Sequence, residues 1–299
     1  MRIEPLIGTQ ASAPPLYPDG APAPAGSTIR RTRLARTLRE LASHGRDALY
    51  SGEVGAGITK ASLGSVTADD LAVDQAEWIE PARLDVYGTT AWTIPPNSQG
   101  YLTLASAWIT ERLDWSRDPD DPAFAHACIE AYRAMAWERD DLVSDPATAP
   151  LAPSELLSVE RLAERATSLS ADATTPWPAI ARRPGGTAFM CTLDSGGMGV
   201  SFIQSNFHGI GSGLSAGATG VFLHNRGAGF NLFEDHPNEY RPGNRPLHTL
   251  APTLWTRDDR LALILGTRGG HQQPQLLAQV AAFLLHGGDT PPQAQLRPR

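Results

Sequence analysis

The sequence predicts an α+β fold, helices first and strands second, on three observations. Through the first half of the chain, apolar residues recur at i, i+3, i+4 and i+7, the spacing of one helix face. From Thr187 onward they fall into short alternating runs separated by Gly and Asp, the pattern of strands joined by tight turns. A loose stretch rich in Pro and Gly, residues 170–186, divides the two regimes.

Each element follows from its local chemistry. Residues 1–29 are rich in Pro, Ala, Gly and Ser with no apolar period, so a disordered or surface-draped arm is expected. Leu34, Thr37, Leu38 and Leu41 share one face and predict a helix from Thr32. Short helices are expected over Val54–Ala61 and after Thr67, where Asp70 completes a capping box. Leu84–Ile94 reads as two strands turning at Tyr87-Gly88. Pro95–Gly100 makes a rigid turn into an apolar helix ending near Leu113. Phe124–Leu142 predicts one long helix, with Arg139, Asp140 and Asp141 on a solvated end. Ser154–Leu169 predicts another helix, capped by Ser154. Thr187–Leu193 and Met198–Gln204 form a hairpin through Asp194–Gly197. Gly209–Gly220 is a glycine-rich loop, and Gly220–His224 is expected as a further strand. Thr253–Trp255 and Leu261–Leu265 form a second hairpin that turns at Arg257-Asp258-Asp259. Gly266–Gly270 then opens an apolar helix, Pro274–Leu285. There is no internal repeat.

Composition narrows the function classes. The 299 residues are 41% hydrophobic and carry a net charge of −7 without a basic run, which argues against nucleic acid and anionic membrane partners. No apolar stretch approaches the ~20 residues that span a bilayer. The N-terminus lacks a positive segment followed by an apolar one, so a cytoplasmic protein is expected. Two cysteines, Cys128 and Cys191, form neither a disulfide framework nor a metal set, and no metal or organic cofactor is expected.

The chemistry concentrates at the boundary between the regimes. Thr187 opens a strand directly after a Pro/Gly-rich loop. If the Gly186–Thr187 bond is cut, Thr187 gains an α-amine, of unperturbed pKa roughly 7.7–8.0, beside its own hydroxyl. That amine can take the hydroxyl's proton and make it a nucleophile. Gly186 has no side chain to obstruct an N→O acyl shift. The plainer reading is that a β-branched residue simply starts a strand.

Several further segments bear on that choice: PPNSQG (Pro95–Gly100), TAFMCTLD (Thr187–Asp194), GIGSG (Gly209–Gly213), LHNRGAGF (Leu223–Phe230), RPLHTLAPT (Arg245–Thr253) and GTRGG (Gly266–Gly270). With LARTLRELASHGRDALYSGEV and HACIEAYRAMAWERDDLVSDP, they resemble the γ-glutamyltransferase (glutathione hydrolase) family from about residue 30 to near the C-terminus. The resemblance implies an N-terminal-nucleophile hydrolase with an αββα four-layer sandwich. It implies self-cleavage between Gly186 and Thr187, giving large-subunit (30–186) and small-subunit (187–299) regions. Carried over by position, Thr187 is the nucleophile and Ser205 is the second hydroxyl that hydrogen-bonds to it. Gly269 and Gly270 are the backbone donors of the oxyanion hole. Consecutive glycines before a helix suit that role, since they leave N–H donors aimed at developing charge; a close-packed turn is the alternative.

The match departs from the γ-glutamyl pattern at the substrate head. Gly229 stands where the family has the acid that binds the substrate α-amine. His248-Thr249 replace the serine pair that holds the α-carboxylate, and Phe207 replaces an asparagine near Ser205. A substrate ammonium would therefore lack its anionic partner. The wording is closer to a subgroup that includes oxamate amidohydrolase and cephalosporin-acylase-like enzymes. Arg226 could grip a carboxylate by bidentate hydrogen bonding, or could be a solvated loop residue. His248 could be a polar pocket contact or a structural histidine.

Family precursors extend beyond this chain at both ends, so an incomplete sandwich is expected. The expected function is an amidohydrolase or acyltransferase acting on a small amide or γ-glutamyl compound. A separate chain supplying the upstream half, and self-association, are the expected partners. An unprocessed remnant, or a fold kept for binding alone, are the alternatives.

Overall fold

The computed structural model describes residues 4–176 and 185–298, in two compact units, Met1–Trp78 with Asn206–Asn225 and Ile79–Ser205 with Arg226–Arg299. Part of the loose 170–186 stretch, residues 177–184, lies outside the described residues.

The first unit holds α1 (Glu4–Gly8), α2 (Thr32–His44), α3 (Arg46–Tyr50), α4 (Glu53–Ala61) and α5 (Ala68–Ala72). At the start of α5, Thr67 and Asp70 form the expected reciprocal capping box. The expected arm is not loose throughout: Ile7 and Ala13 are buried. Ser12 Oγ donates to Gly217 O (2.7 Å) and accepts from Gly220 N (2.9 Å), while Gln10 Oε1 accepts from Ser215 N (3.0 Å). The glycine-rich loop exposes backbone groups that need partners, and this segment supplies them. Residues 220–224 do not form the expected strand; only a single bridge, Ser215 to Phe222, is present. Positive-φ glycines at 209, 211, 213, 217 and 220 interrupt any regular pleat there.

The second unit begins with β1 (Ala82–Val86) and β2 (Thr89–Thr93), then α6 (Tyr101–Leu113), α7 (Pro122–Ala136), α8 (Arg139–Leu142), α9 (Pro153–Leu156) and α10 (Val159–Thr167). After these come β3 (Gly185–Leu193), β4 (Gly199–His208), β5 (Thr253–Arg257), β6 (Arg260–Leu265), α11 (Gln273–Ala281) and α12 (Pro291–Leu296). Strands β1-β2-β5-β6 form an antiparallel sheet, and β3-β4 a separate hairpin. The β5–β6 turn is two residues, Asp258 and Asp259, at φ 50° and 57°, as a type I′ hairpin requires.

One face of the four-stranded sheet presents Ala82, Leu84, Val86, Ala91 and Trp255 to the helices, chiefly to α6, whose residues 101–110 are all buried. The other face receives the β3–β4 hairpin. Gly199 sits on Leu261 and Ile264, and the Phe189 ring occupies the space a side chain at Gly266 would need. Helices, sheet and hairpin thus stack in layers. Trp255 is fully buried at the centre, paired with Leu263, its indole N–H on Thr253 Oγ1 (3.1 Å). Trp255→Ala is expected to destabilise the fold by about 3–5 kcal/mol, read as a shift of the urea midpoint.

Two helix expectations need correction. The helix expected over 124–142 is broken at Trp137-Glu138 into α7 and α8. Glu138 is buried at the break, where it meets the guanidinium groups of Arg161 and Arg165, the latter at 2.9 Å. The 154–169 helix is likewise two pieces, and the serine that caps the longer one is Ser158, which accepts from Arg161 N, not Ser154. A serine at each of two closely spaced positions gives the sequence no means of choosing between them.

Candidate active site

The hairpin places Thr187. Asp194 Oδ1 accepts from Gly196 N (2.8 Å) and Met198 N (2.9 Å), which fixes the turn and with it the strand register. In that register, Thr187 Oγ1 donates to Ser205 Oγ at 3.0 Å, and Ser205 Oγ donates to Gly186 O at 3.0 Å. The nucleophile candidate, the second hydroxyl and the carbonyl of the Gly186–Thr187 peptide therefore form one continuous hydrogen-bonded chain. Thr187 and Phe189 share a strand face by alternation, so Thr187 lies on the side that meets Gly266, where the glycine turn begins.

Gly269, at φ 136°, has a backbone angle only glycine accepts readily, and Gly270 follows in the left-handed region at φ 56°. Gln272 N donates to Gly269 O (3.1 Å). In a trans peptide the N–H opposes the C=O, so the Gly270 N–H points away from the helix. An outward N–H at the head of a helical segment is what an oxyanion site needs.

The Pro95–Gly100 loop and the Arg245–Thr253 segment are tied together. His248 N donates to Asn97 O (2.8 Å), Gln99 N donates to His248 O (3.0 Å), and Ser98 Oγ donates to Leu250 O (2.6 Å). Thr249 is buried, and its Oγ1 accepts from Arg226 Nη1 at 3.1 Å. Arg226 is only 8% exposed, which overturns the solvated-loop alternative. Burial disfavours its charged form and lowers its pKa to about 10, so it remains a cation at neutral pH. His248 uses Nδ1 to accept from Leu250 N (3.3 Å), a bond that shapes its own loop.

The departure at Gly229 has a steric counterpart. A Cβ there would lie 2.7 Å from Leu247 O. Asn238 clamps the same place, with Nδ2 donating to Gly229 O (2.6 Å) and Oδ1 accepting from Leu247 N (2.9 Å). The turn at Arg226–Gly229 is thus closed against the segment that carries His248 and Thr249. Phe207 is buried at φ 75° with its ring 3.7 Å from that of His208.

Sequence reasoning missed two residues beside these. Gln99 is completely buried; its Nε2 donates to both Thr249 O and Gly270 O, each at 2.9 Å. Arg139, expected on a solvated helix end, is 9% exposed and donates from Nη1 to Gln99 Oε1 at 3.3 Å. Gln99 lay in a quoted motif, but nothing in its local pattern marks a residue whose partners are about 150 positions away in the chain. Among the described residues, no three His, Cys, Asp or Glu side chains are grouped to hold a metal ion, and no helix is long and apolar enough to cross a membrane.

Comparison with known proteins identifies the family and the fold. The family model described as gamma-glutamyltranspeptidase matches residues 4–299. The chain is 36% identical to the oxamate amidohydrolase proenzyme of Klebsiella pneumoniae over 89% of its own length and 51% of that protein's. It is 34% identical to the glutathione hydrolase-like YwrD proenzyme of Bacillus subtilis, over 93% of the chain and 53% of that protein. Among solved structures, cephalosporin acylase from Bacillus halodurans superposes with a TM-score of 0.86 at 32% identity, covering 96% of this chain and 53% of that one. The chain therefore spans about half the length of the relatives it matches. Its fold is the α+β sandwich of the N-terminal-nucleophile hydrolases, and the chain belongs to the gamma-glutamyltranspeptidase family.

Proposed function

We propose that the protein is a self-cleaving amidohydrolase or acyltransferase that uses Thr187 as its nucleophile. The observation that carries this reading is the chain from Thr187 Oγ1 through Ser205 Oγ to Gly186 O. In the first step the Thr187 oxygen attacks the Gly186 carbonyl carbon. Its proton passes to Ser205 as the Ser205 proton moves to the carbonyl oxygen. The C–N bond then breaks as the adduct's hydroxyl proton passes to the departing nitrogen, leaving an ester on Thr187 and a free α-amine. Water hydrolyses the ester to the Gly186 carboxylate and restores the hydroxyl. The amine next serves as base while Thr187 attacks a substrate amide, the oxyanion resting on the N–H groups of Gly269 and Gly270. The acyl-enzyme passes its acyl group to water or to an acceptor amine.

For the substrate we infer a small amide whose acyl part carries a carboxylate but no ammonium at the position Gly229 faces. Arg226 with Thr249 supplies a buried cation and a hydroxyl for the carboxylate, and His248 lines the same segment. The closed turn at Gly229 leaves no room for an acidic side chain. Gly229→Asp is accordingly expected not to create γ-glutamyl anilide hydrolysis, and to cost about 1–3 kcal/mol of stability by overpacking, measured by chromogenic assay and thermal melt.

A separate chain that supplies the upstream half is part of this reading, as is self-association. The outer face of the β3–β4 hairpin, with Met190, Val200 and Phe202 exposed, is the surface that supports both. Cytoplasmic residence completes the reading, to be tested by cell fractionation. Intact-mass measurement of the folded protein tests its core. Fragments 1–186 and 187–299 are expected, and a folded chain whose junction stays whole overturns the proposal in favour of an unprocessed remnant.

A further inference from the structure

Gln99 has no part in the chemistry above, yet its buried amide touches both halves of the candidate site. We propose that Gln99, set by Arg139, is a positioning residue that holds the Gly269–Gly270 turn and the Thr249–Arg226 arm in one geometry. The inference deepens the amidohydrolase reading and rests on it for its kinetic part.

Gln99 is 0% exposed, so each of its polar atoms must be satisfied inside the protein. Its two N–H donors go to Thr249 O and Gly270 O, and its Oε1 accepts from the Arg139 guanidinium. This leaves one amide orientation. Exchange of oxygen and nitrogen would put Oε1 against two carbonyls and the NH2 group against a cation. Arg139 is itself held by Asp140, Nη2 to Oδ1 at 2.6 Å.

What the amide holds is unusually free on its own. Both glycines lie at positive φ, where a peptide plane between two residues lacking side chains flips at little cost. Gln272 N fixes the carbonyl of Gly269, and Gln99 Nε2 fixes that of Gly270. The first of these planes carries the Gly270 N–H; the second carries the His271 N–H, so Gln99, beside the Gln273 N–H that meets the same carbonyl, holds Gly270 from its C-terminal side. The second Gln99 donor pins the backbone of Thr249, whose hydroxyl receives Arg226. One side chain therefore sets the relation between the donors that would meet the oxyanion and the cation that would meet the carboxylate. Donors act in catalysis only when aimed before the charge develops.

The test uses the full-length protein and the variants Gln99→Met and Arg139→Met. Gln99→Met keeps the volume and removes all three side-chain hydrogen bonds. Deuterium uptake at residues 266–273 and 245–251 is expected to rise about tenfold in rate, while β1 and β2 stay unchanged. Hydrolysis of a carboxylate-bearing amide is expected to lose about 10²-fold in kcat, with scission before Thr187 still complete, because that step uses a hydrogen-bonded chain that omits Gln99. Arg139→Met, which keeps the amide but frees it to flip, is expected to show the same pattern more weakly, and decides the matter if Gln99→Met fails to fold. Unchanged uptake at either segment, or uptake raised equally throughout the protein, overturns the proposal. So does unaltered kcat in a variant whose parent is active. A parent that neither cleaves nor hydrolyses would sink the amidohydrolase reading, and the exchange data would still decide whether Gln99 holds the two segments.

Discussion

Thr187→Ala is expected to give a folded protein that remains a single chain of 299 residues and has no amidase activity. The substitution removes the attacking oxygen and leaves the strand, since Thr187 sits on the hairpin surface rather than in the helix-packed core. Ser205→Ala separates nucleophile from assistance. Ser205 both receives the Thr187 hydroxyl and donates to Gly186 O, so its loss removes the group that polarises the carbonyl under attack. Losing one such donor costs about 10²–10³ in rate, so scission should slow from complete on isolation to hours or days. Thr187→Ser keeps the oxygen and should retain scission. Time-resolved intact mass reads all three. Scission in Thr187→Ala at the parental rate would remove this residue from the mechanism.

The second large effect is expected at Arg226. Its guanidinium is buried, and truncating one member of a buried charge pair costs about 2–5 kcal/mol. Arg226→Met should therefore raise KM for a carboxylate-bearing amide by about 10²-fold or more, with scission before Thr187 unaffected. The pH profile carries the same signature. Burial lowers the Arg226 pKa to about 10, so the cation proposed to hold the carboxylate is present below that value and lost above it. In the proposed mechanism the amine released at Thr187 acts as base only when neutral, above its unperturbed value of roughly 8. kcat/KM should rise toward pH 8, hold, and fall above about pH 10; the alkaline fall should be absent for a neutral acyl donor. A bound carboxylate favours the charged guanidinium, so the alkaline limb of kcat should lie higher than that of kcat/KM.

Much of this was legible in local pattern. The Tyr87-Gly88 and Asp258-Asp259 turns, the Thr67–Asp70 capping box and the Asp194–Gly197 hairpin are short-range chemistry, and they form where the residue types require. The errors came where tertiary partners outweigh periodicity. Glu138 breaks an apparently continuous helix because it is buried between Arg161 and Arg165, residues the helical pattern does not relate to it. Composition left the 1–29 segment as a disordered or surface-draped arm, and only the structure shows Ser12 and Gln10 satisfying backbone groups some 200 residues away.

By itself the sequence determined the fold class, because turn chemistry and strand alternation act over a few residues and need no distant partner. The family resemblance, and not local pattern, pointed to the Gly186–Thr187 junction and to Gly229 at the place of an acid. Only the tertiary structure decided that an acid cannot simply be restored there, that Arg226 is buried, and that Gln99 and Arg139 stand behind the glycine turn. Those facts depend on segments brought together over 18 to 171 positions of chain, and burial and close approach at such separations are properties of packing, which no local pattern encodes.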